Sequence, residues 1–94
     1  MEPVEYPLDG ILDLHVFHPH EATDVVREYL HACLAVGIFR VRIIHGKGTG
    51  KMRKRVHGVL DTIAEVDRYA LATDTSGWGA TIVWMKPPSA GTIV

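Results

Sequence analysis

The spacing of apolar and polar positions divides the chain into six elements. Two segments carry apolar residues at the i, i+3, i+4 spacing of a buried helical stripe: 21–36 and 51–66. Four shorter segments alternate or run apolar as strands do: 11–15, 38–44, 68–73 and 80–85. The predicted order is therefore β-α-β-α-β-β, with an irregular lead-in at 1–10 and a tail at 87–94.

The second predicted strand indicates how the layers are arranged. Its residues Phe39, Val41 and Ile43 share one face, and Arg40 and Arg42 share the other. A parallel sheet covered on both faces would read as continuously apolar, so this alternation predicts helices on one face only. The helices can serve as right-handed crossovers between parallel strands, and the short connection between the last two strands favours an antiparallel pair. The sequence thus predicts a two-layer α/β sandwich with a mixed four-stranded sheet.

Bulk composition is typical of a globular protein. Ninety-four residues suffice for one domain with one core, and 47% apolar with 22% charged residues argues against disorder. No apolar run reaches the roughly 18–20 residues that span a bilayer, so no membrane association is expected. The segment Met1–Glu5 lacks the basic and apolar regions of a signal peptide, which predicts a cytoplasmic protein. The single Cys33 excludes an internal disulfide and a multi-cysteine zinc site.

Positive charge is concentrated in one segment of the chain. The net charge is −1, yet seven of the ten Lys and Arg lie between positions 40 and 55, and no Asp or Glu occurs from His31 to Leu60. A segregated basic segment on a neutral protein is typical of a nucleic-acid footprint, and a solvated helix face is the alternative. The side chains predicted to contact phosphates are Arg40, Arg42, Lys47, Lys51, Arg53, Lys54 and Arg55.

A glycine-rich loop joins the second strand to the second helix. After His45, glycine stands at every other position: Gly46, Gly48 and Gly50. Glycine accepts positive φ and lets backbone N–H groups approach a phosphate, and the free N–H groups of the next helix add partial positive charge. The loop therefore predicts anion binding rather than a flexible basic turn. It is not a Walker A loop, because three residues separate Gly46 from Gly50 and Met52 replaces the metal-binding Ser or Thr, which disfavours ATP or GTP hydrolysis.

Three short motifs follow one another on the predicted elements: LDLH at 12–15, HGKGTG at 45–50 and GWGATIV at 77–83. Together they resemble the small MutS-related (Smr) domain, in which an LDLH strand, an HGxG loop and a closing GxGAT strand are typical. The resemblance covers about residues 11–86. It implies a fold like the C-terminal domain of translation initiation factor three and implies nucleic-acid binding. Some members of the family nick DNA or cleave RNA, often with a divalent metal.

The ends of the first two strands carry the candidate catalytic groups. Asp13 and His15 are two residues apart on a strand and share a face, and His45 ends the parallel neighbouring strand. A His there could act as acid or base, and Lys47 could stabilise a charged transition state. If the chain is a nuclease, the resemblance points first to Asp13 and His15, then to His45 and Lys47, with Mg²⁺ or Mn²⁺ at Asp13. Alternatively, Asp13 and His15 hydrogen-bond neighbouring loops, and one carboxylate makes a poor Mg²⁺ site.

The turn before the last strand is a further candidate contact. Trp78 lies between Gly77 and Gly79, where its indole could stack on a base or cover the edge of the core. With the loop glycines, this turn completes the predicted nucleic-acid-binding set.

The sequence therefore predicts an Smr-type nucleic-acid-binding domain, with DNA and RNA both open as partners and a metal-dependent endonuclease as its catalytic form. The rival prediction is a non-catalytic module, in which the glycine loop is structural and the face of Arg40 and Arg42 binds an acidic protein or a second copy. A small-molecule enzyme is a weaker third option, because the chain supplies little wall for a deep apolar pocket.

Overall fold

The computed structural model describes residues 8–73 and 79–87, which contain four strands and two helices. In chain order the elements are β1 (Ile11–Asp13), α1 (Pro19–Ala35), β2 (Arg40–Ile44), α2 (Lys51–Leu60), β3 (Val66–Leu71) and β4 (Ala80–Met85). The predicted order β-α-β-α-β-β is confirmed. Within the described part of the chain, neither helix is long and apolar enough to cross a bilayer.

The four strands form one mixed sheet in the order β1-β2-β4-β3. β1 and β2 are parallel and are joined by α1 as a crossover, whereas β4 is antiparallel to both β2 and β3. α2 carries the chain past β4 to the far edge of the sheet, where β3 lies. The parallel first pair and the antiparallel last pair are both as the sequence predicted.

The two helices cover only one face of the sheet. Leu14, Val41 and Val83 are fully buried in one cluster with Val26 of α1 and Val56 of α2. The alternate residues of the strands share the other face, which is called the open face below. Its members, aligned by the strand register, are Ile11, Asp13, Arg40, Arg42, Ile44, Arg68, Ala70, Ala80, Ile82 and Trp84. The predicted two-layer sandwich with both helices on one face is confirmed.

α1 has clear start and stop signals. Its first residue is Pro19, whose missing N–H is not needed in the first turn, and the carboxylate of Glu21 accepts the backbone N–H of His18 at 2.8 Å. At the other end, Gly37 has φ +85° and its N–H donates to the carbonyl of Leu34, as in a Schellman motif. The cap at Gly37 was predicted and is confirmed. The helix starts two residues before its predicted start at Glu21, because Pro19, which was expected only to end the strand, is the first helical residue.

α2 is shorter than its apolar periodicity predicted. The helix ends at Leu60, and the hydroxyl of Thr62 donates to the carbonyl of Val59 at 2.6 Å. This side-chain bond offers the backbone an alternative to the helical ladder. Ile63 stays buried through the resulting turn, so it continues the apolar stripe without continuing the helix. β3 accordingly begins at Val66, two residues before its predicted start.

Candidate nucleic-acid interface at the glycine loop

The glycine loop, residues 46–50, connects β2 to α2 and has a left-handed backbone at three positions. The φ angles are +81° at Gly46, +21° at Gly48 and +87° at Gly50, a region that side-chain-bearing residues rarely adopt. Gly50 is also the N-cap of α2, and no side chain caps that helix. The first-turn N–H groups of α2 therefore face the loop with little competition from the protein itself, apart from a long 3.4 Å bond from the Lys51 N–H to the Thr49 hydroxyl.

β4 anchors the start of the loop. The backbone N–H groups of His45 and Gly46 both donate to the carbonyl of Gly79 at 2.9 Å. Gly79 is buried, and a Cβ there would lie 3.7 Å from Cγ of Lys47. The backbone of Gly79 thus packs against the start of the loop and holds it by two hydrogen bonds. Gly77 and Trp78, the other members of the predicted turn contact, lie outside the described residues.

A buried threonine links the loop to α2 through two histidines. Nδ1 of His45 lies 3.0 Å from the carbonyl of Gly46, which can only accept, so Nδ1 carries the proton. In neutral His45, Nε2 then accepts the hydroxyl of Thr81 at 2.8 Å. The Thr81 oxygen in turn accepts Nε2–H of His57 at 2.8 Å. Because Thr81 is 0% exposed, these bonds satisfy polar groups that water does not reach.

The surroundings favour the neutral form of both histidines. Burial lowers the pKa of His45, and the positive charge of Arg53 lowers it further, against the opposing effect of the Gly46 carbonyl. Burial also lowers the pKa of His57, with additional contributions from His45 and Arg53. His45 was predicted from the sequence as a site residue, whereas His57 and Thr81 were not. No local pattern links positions that come together only when α2 packs on β4.

Acidification is therefore expected to destabilise the fold through these histidines. Because both have a lower pKa in the folded protein than the ordinary value of about 6.5, the unfolded chain binds protons more readily. Their stabilising contribution is complete above about pH 6.5 and is lost as the pH falls below that value. Chemical denaturation is carried out at a series of pH values from about 7.5 to about 5. The free energy of unfolding of the wild type should fall over this range, and that of His57→Gln should fall less. Identical pH profiles of the two proteins would refute this role of His57.

A cavity of about 260 Å³ opens beside the glycine loop. Its walls are the loop, Pro19 at the start of α1, and the first turn of α2. Among the described residues, the charged side chains in its lining are Lys47, Lys51 and Arg53, and none is a carboxylate. A helix N-terminus that no side chain caps and three cations together form a site suited to a phosphate-sized anion.

Asp13 and His15 form a separate pair. Oδ1 of Asp13 lies 2.8 Å from Nδ1 of His15 and also accepts the His15 backbone N–H at 3.0 Å, and this backbone bond is the main cause that lowers the pKa of Asp13. Asp13 aligns with Ile44 on the open face, whereas His45 is bonded on the helix-covered side. Neither Asp13 nor His15 lines the loop cavity. The strand ends meet as predicted, but the four candidate catalytic residues fall into two pairs, Asp13 with His15 and His45 with Lys47.

The residues at this edge do not fit a resident Mg²⁺ or Mn²⁺ site. Over residues 8–73 and 79–87, no group of three or more His, Cys, Asp or Glu is placed to hold a metal ion. Asp13 offers one carboxylate, and its Oδ1 already accepts the bonds from His15. Such ions usually require one or two carboxylates together with substrate phosphates.

The cations predicted as one footprint lie on three surfaces. Arg40 and Arg42 belong to the open face, because strand residues alternate across the sheet. Lys47, Lys51 and Arg53 surround the loop cavity. The remaining cations, Lys54 and Arg55, line a groove between α1 and α2, together with Lys51.

Comparison with known proteins gives one consistent family. The sequence model of the Smr domain matches residues 12–86. Endonuclease MutS2 of Carboxydothermus hydrogenoformans is 38% identical over 76 residues, which are 80% of this chain and 10% of that protein. Endonuclease MutS2 of Latilactobacillus sakei is 40% identical over 76 residues, with the same coverage of 80% and 10%. The chain thus spans about a tenth of the length of these relatives.

Solved structures agree with the fold. The Smr domain of Thermus thermophilus MutS2 superimposes with a TM-score of 0.78 at 32% identity, covering 82% of this chain and 98% of that one. YdaL, a stand-alone small MutS-related protein from Escherichia coli, superimposes with a TM-score of 0.77 at 29% identity. The match covers 87% of this chain and 68% of that one. The two-layer arrangement of this chain is therefore shared with solved structures of the same kind.

Proposed function

The chain belongs to the Smr domain family, and on that premise we propose that it binds nucleic acid by seating a backbone phosphate in the glycine-loop cavity. The observation that carries the proposal is the lining of that cavity. Three glycines with positive φ lead into a helix N-terminus that no side chain caps, beside Lys47, Lys51 and Arg53, and none of the described lining residues is a carboxylate. Charged donors to phosphate form shorter and stronger hydrogen bonds than neutral ones.

The proposed contacts are to the phosphate backbone, which DNA and RNA share. Such contacts position a nucleic acid without reading its bases, and their strength falls as salt rises. Selectivity would then come from the shape of the nucleic acid. The buried Thr81 supports this proposal, because it holds His45 and the start of the loop in one conformation. A preformed loop costs less conformational entropy on binding.

Phosphodiester cleavage is a second candidate function, and the Asp13–His15 pair favours it. The relatives named above are called endonucleases, although this chain spans only a tenth of their length. A carboxylate at Nδ1 of His15 fixes the orientation of the imidazole and leaves Nε2 to accept a proton from an attacking nucleophile. Both side chains are accessible, with 73% of His15 and 46% of Asp13 exposed.

One experiment tests both functions. The purified protein is incubated with supercoiled plasmid and with structured RNA, in Mg²⁺, in Mn²⁺ and in chelator, beside Asp13→Asn and Lys47→Ala. Retention of nucleic acid that weakens in Lys47→Ala is the expected result for binding. Cleavage that disappears in Asp13→Asn, with retention intact, would support the second function. If the protein neither retains nor cleaves nucleic acid, the nucleic-acid proposal is refuted and the rival, a protein-interaction module, is favoured.

A further inference from the structure

We infer that the groove between α1 and α2 is a second phosphate-binding site, which receives the nucleic-acid strand as it leaves the glycine loop. This inference rests on the proposed function. It adds a site on a different surface, together with Arg27, a residue outside the basic segment.

The groove is a cationic cleft with a volume of about 590 Å³. Within residues 8–73 and 79–87, its charged lining consists of Arg27 from α1 with Lys51, Lys54 and Arg55 from α2, and includes no carboxylate. The hydroxyls of Thr23 and Thr62 add neutral donors along the same walls. This lining has the charge and the donors that a chain of phosphodiesters requires.

None of the four groove cations forms an ion pair with a described carboxylate. Within residues 8–73 and 79–87, the ion pairs join His15 to Asp13 and His31 to Glu65, and none includes a groove cation. Lys51 and Arg55 are four residues apart on one helix, a spacing at which like charges are destabilising. The attraction of both cations to a bound polyanion would offset this repulsion.

Arg27 is held across the groove in an orientation suited to an anion. Its Nη2 donates to the hydroxyl of Thr62 at 3.3 Å, and that hydroxyl donates to the carbonyl of Val59. One arm of the guanidinium is thereby fixed, and the other donors of its planar fork stay available for phosphate oxygens. Gly58 lines the cleft, and the space beside its Cα is open, since a Cβ there would meet no atom within 4 Å.

The groove adjoins the glycine-loop cavity. Pro19 and Lys51 line both. From Lys51 to Gly58 the axis of α2 rises by roughly 10 Å, at about 1.5 Å per residue. That length matches the rise of about three nucleotides in one strand of a duplex. A strand seated in the loop can therefore extend its next phosphates along α2.

The test is the salt dependence of affinity, measured by fluorescence anisotropy with a labelled duplex and with the matching single strand. The groove variant is Lys54→Gln with Arg55→Gln, which leaves the Arg27–Thr62 bond intact, and Arg27→Gln is the second variant. Lys86→Gln is the matched control, because Lys86 follows the end of β4 that is remote from the loop. The slope of log affinity against log salt should fall by about two units in the double variant and about one in Arg27→Gln, with no change in the control.

The outcomes separate the second site from the first. If Lys47→Ala weakens binding while both groove variants keep the wild-type slope, the second site is refuted and the loop site stands. If the wild type binds neither nucleic acid, the proposed function itself fails. If polyglutamate binds the wild type and loses affinity in the groove variants while nucleic acid does not, the groove is a site for acidic protein and the inference is wrong. Thermal unfolding of each variant checks that the fold is retained.

Discussion

Replacing Thr81 with Val is expected to lower the free energy of unfolding by about 2–4 kcal/mol, because a buried polar group that loses its partner costs roughly 1–3 kcal/mol. Valine keeps the shape of threonine but removes the hydroxyl that bridges two imidazoles. Nε2 of His45 and Nε2 of His57 both lose a 2.8 Å hydrogen bond, at a position with 0% exposure. Since His45 directly follows β2 and His57 belongs to α2, the loss loosens the elements that flank the glycine loop.

Thermal and urea unfolding at neutral pH would measure this loss. For a domain of this size it corresponds to a fall in Tm of roughly 10–20 °C. Thr81→Ser is the matched control, since it keeps the hydroxyl and should cost only about 1 kcal/mol for the missing methyl group. A Val variant as stable as the Ser variant would mean that the hydroxyl bridge does not hold these elements together.

Reversing the charge of Lys47 is expected to lower nucleic-acid affinity by about fifty- to a hundredfold at about 0.1 M salt. One phosphate contact contributes close to one unit to the slope of log affinity against log salt concentration. At about 0.1 M salt, losing that contact lowers the affinity nearly tenfold. Lys47→Glu removes this contact. It also adds a negative charge, whose repulsion of the phosphate should lower the affinity by a similar factor. Lys47 lies in the glycine loop and lines its cavity, so the added carboxylate would face the proposed phosphate.

The matched variant for this comparison is Lys86→Glu, which makes the same charge change away from both cationic cavities. The nucleic-acid affinity of Lys86→Glu should fall far less than that of Lys47→Glu, because only the net charge of the protein changes and no phosphate contact is lost. Equal losses in the two variants would show that binding follows overall charge and does not require the glycine loop. Both proteins should be compared at several salt concentrations, since a local contact also changes the slope.

Much of the fold could be predicted because local patterns and tertiary packing agree. β4 has its predicted bounds, Ala80 to Met85, and the alternation in β2 correctly assigned Val41 to the core and Arg40 to the open face. The end of α2 could not be predicted from periodicity. Ile63 is buried through a turn, so it extends the apolar spacing beyond the helix.

The candidate site was less predictable, since its contacts join residues distant in sequence. The bridge from His45 through Thr81 to His57 crosses three elements. The division of the basic segment among three surfaces follows from side-chain alternation in β2 and from the groove that α1 forms with α2. Arg27 belongs to that groove although it stands well outside the basic segment. Its role depends on helix packing, which no local pattern encodes.

The most direct test of the central claim is a ¹H–¹⁵N amide map recorded while a nucleic-acid duplex is added. A phosphate in the glycine-loop cavity would shift the amides of Gly46 to Arg53 most strongly and at the lowest duplex concentration. The shifts should weaken with salt and be much smaller in Lys47→Glu. Shifts confined to the open face around Arg40, Arg42 and Trp84, with the loop amides unmoved, would contradict the account and place nucleic-acid binding on the open face.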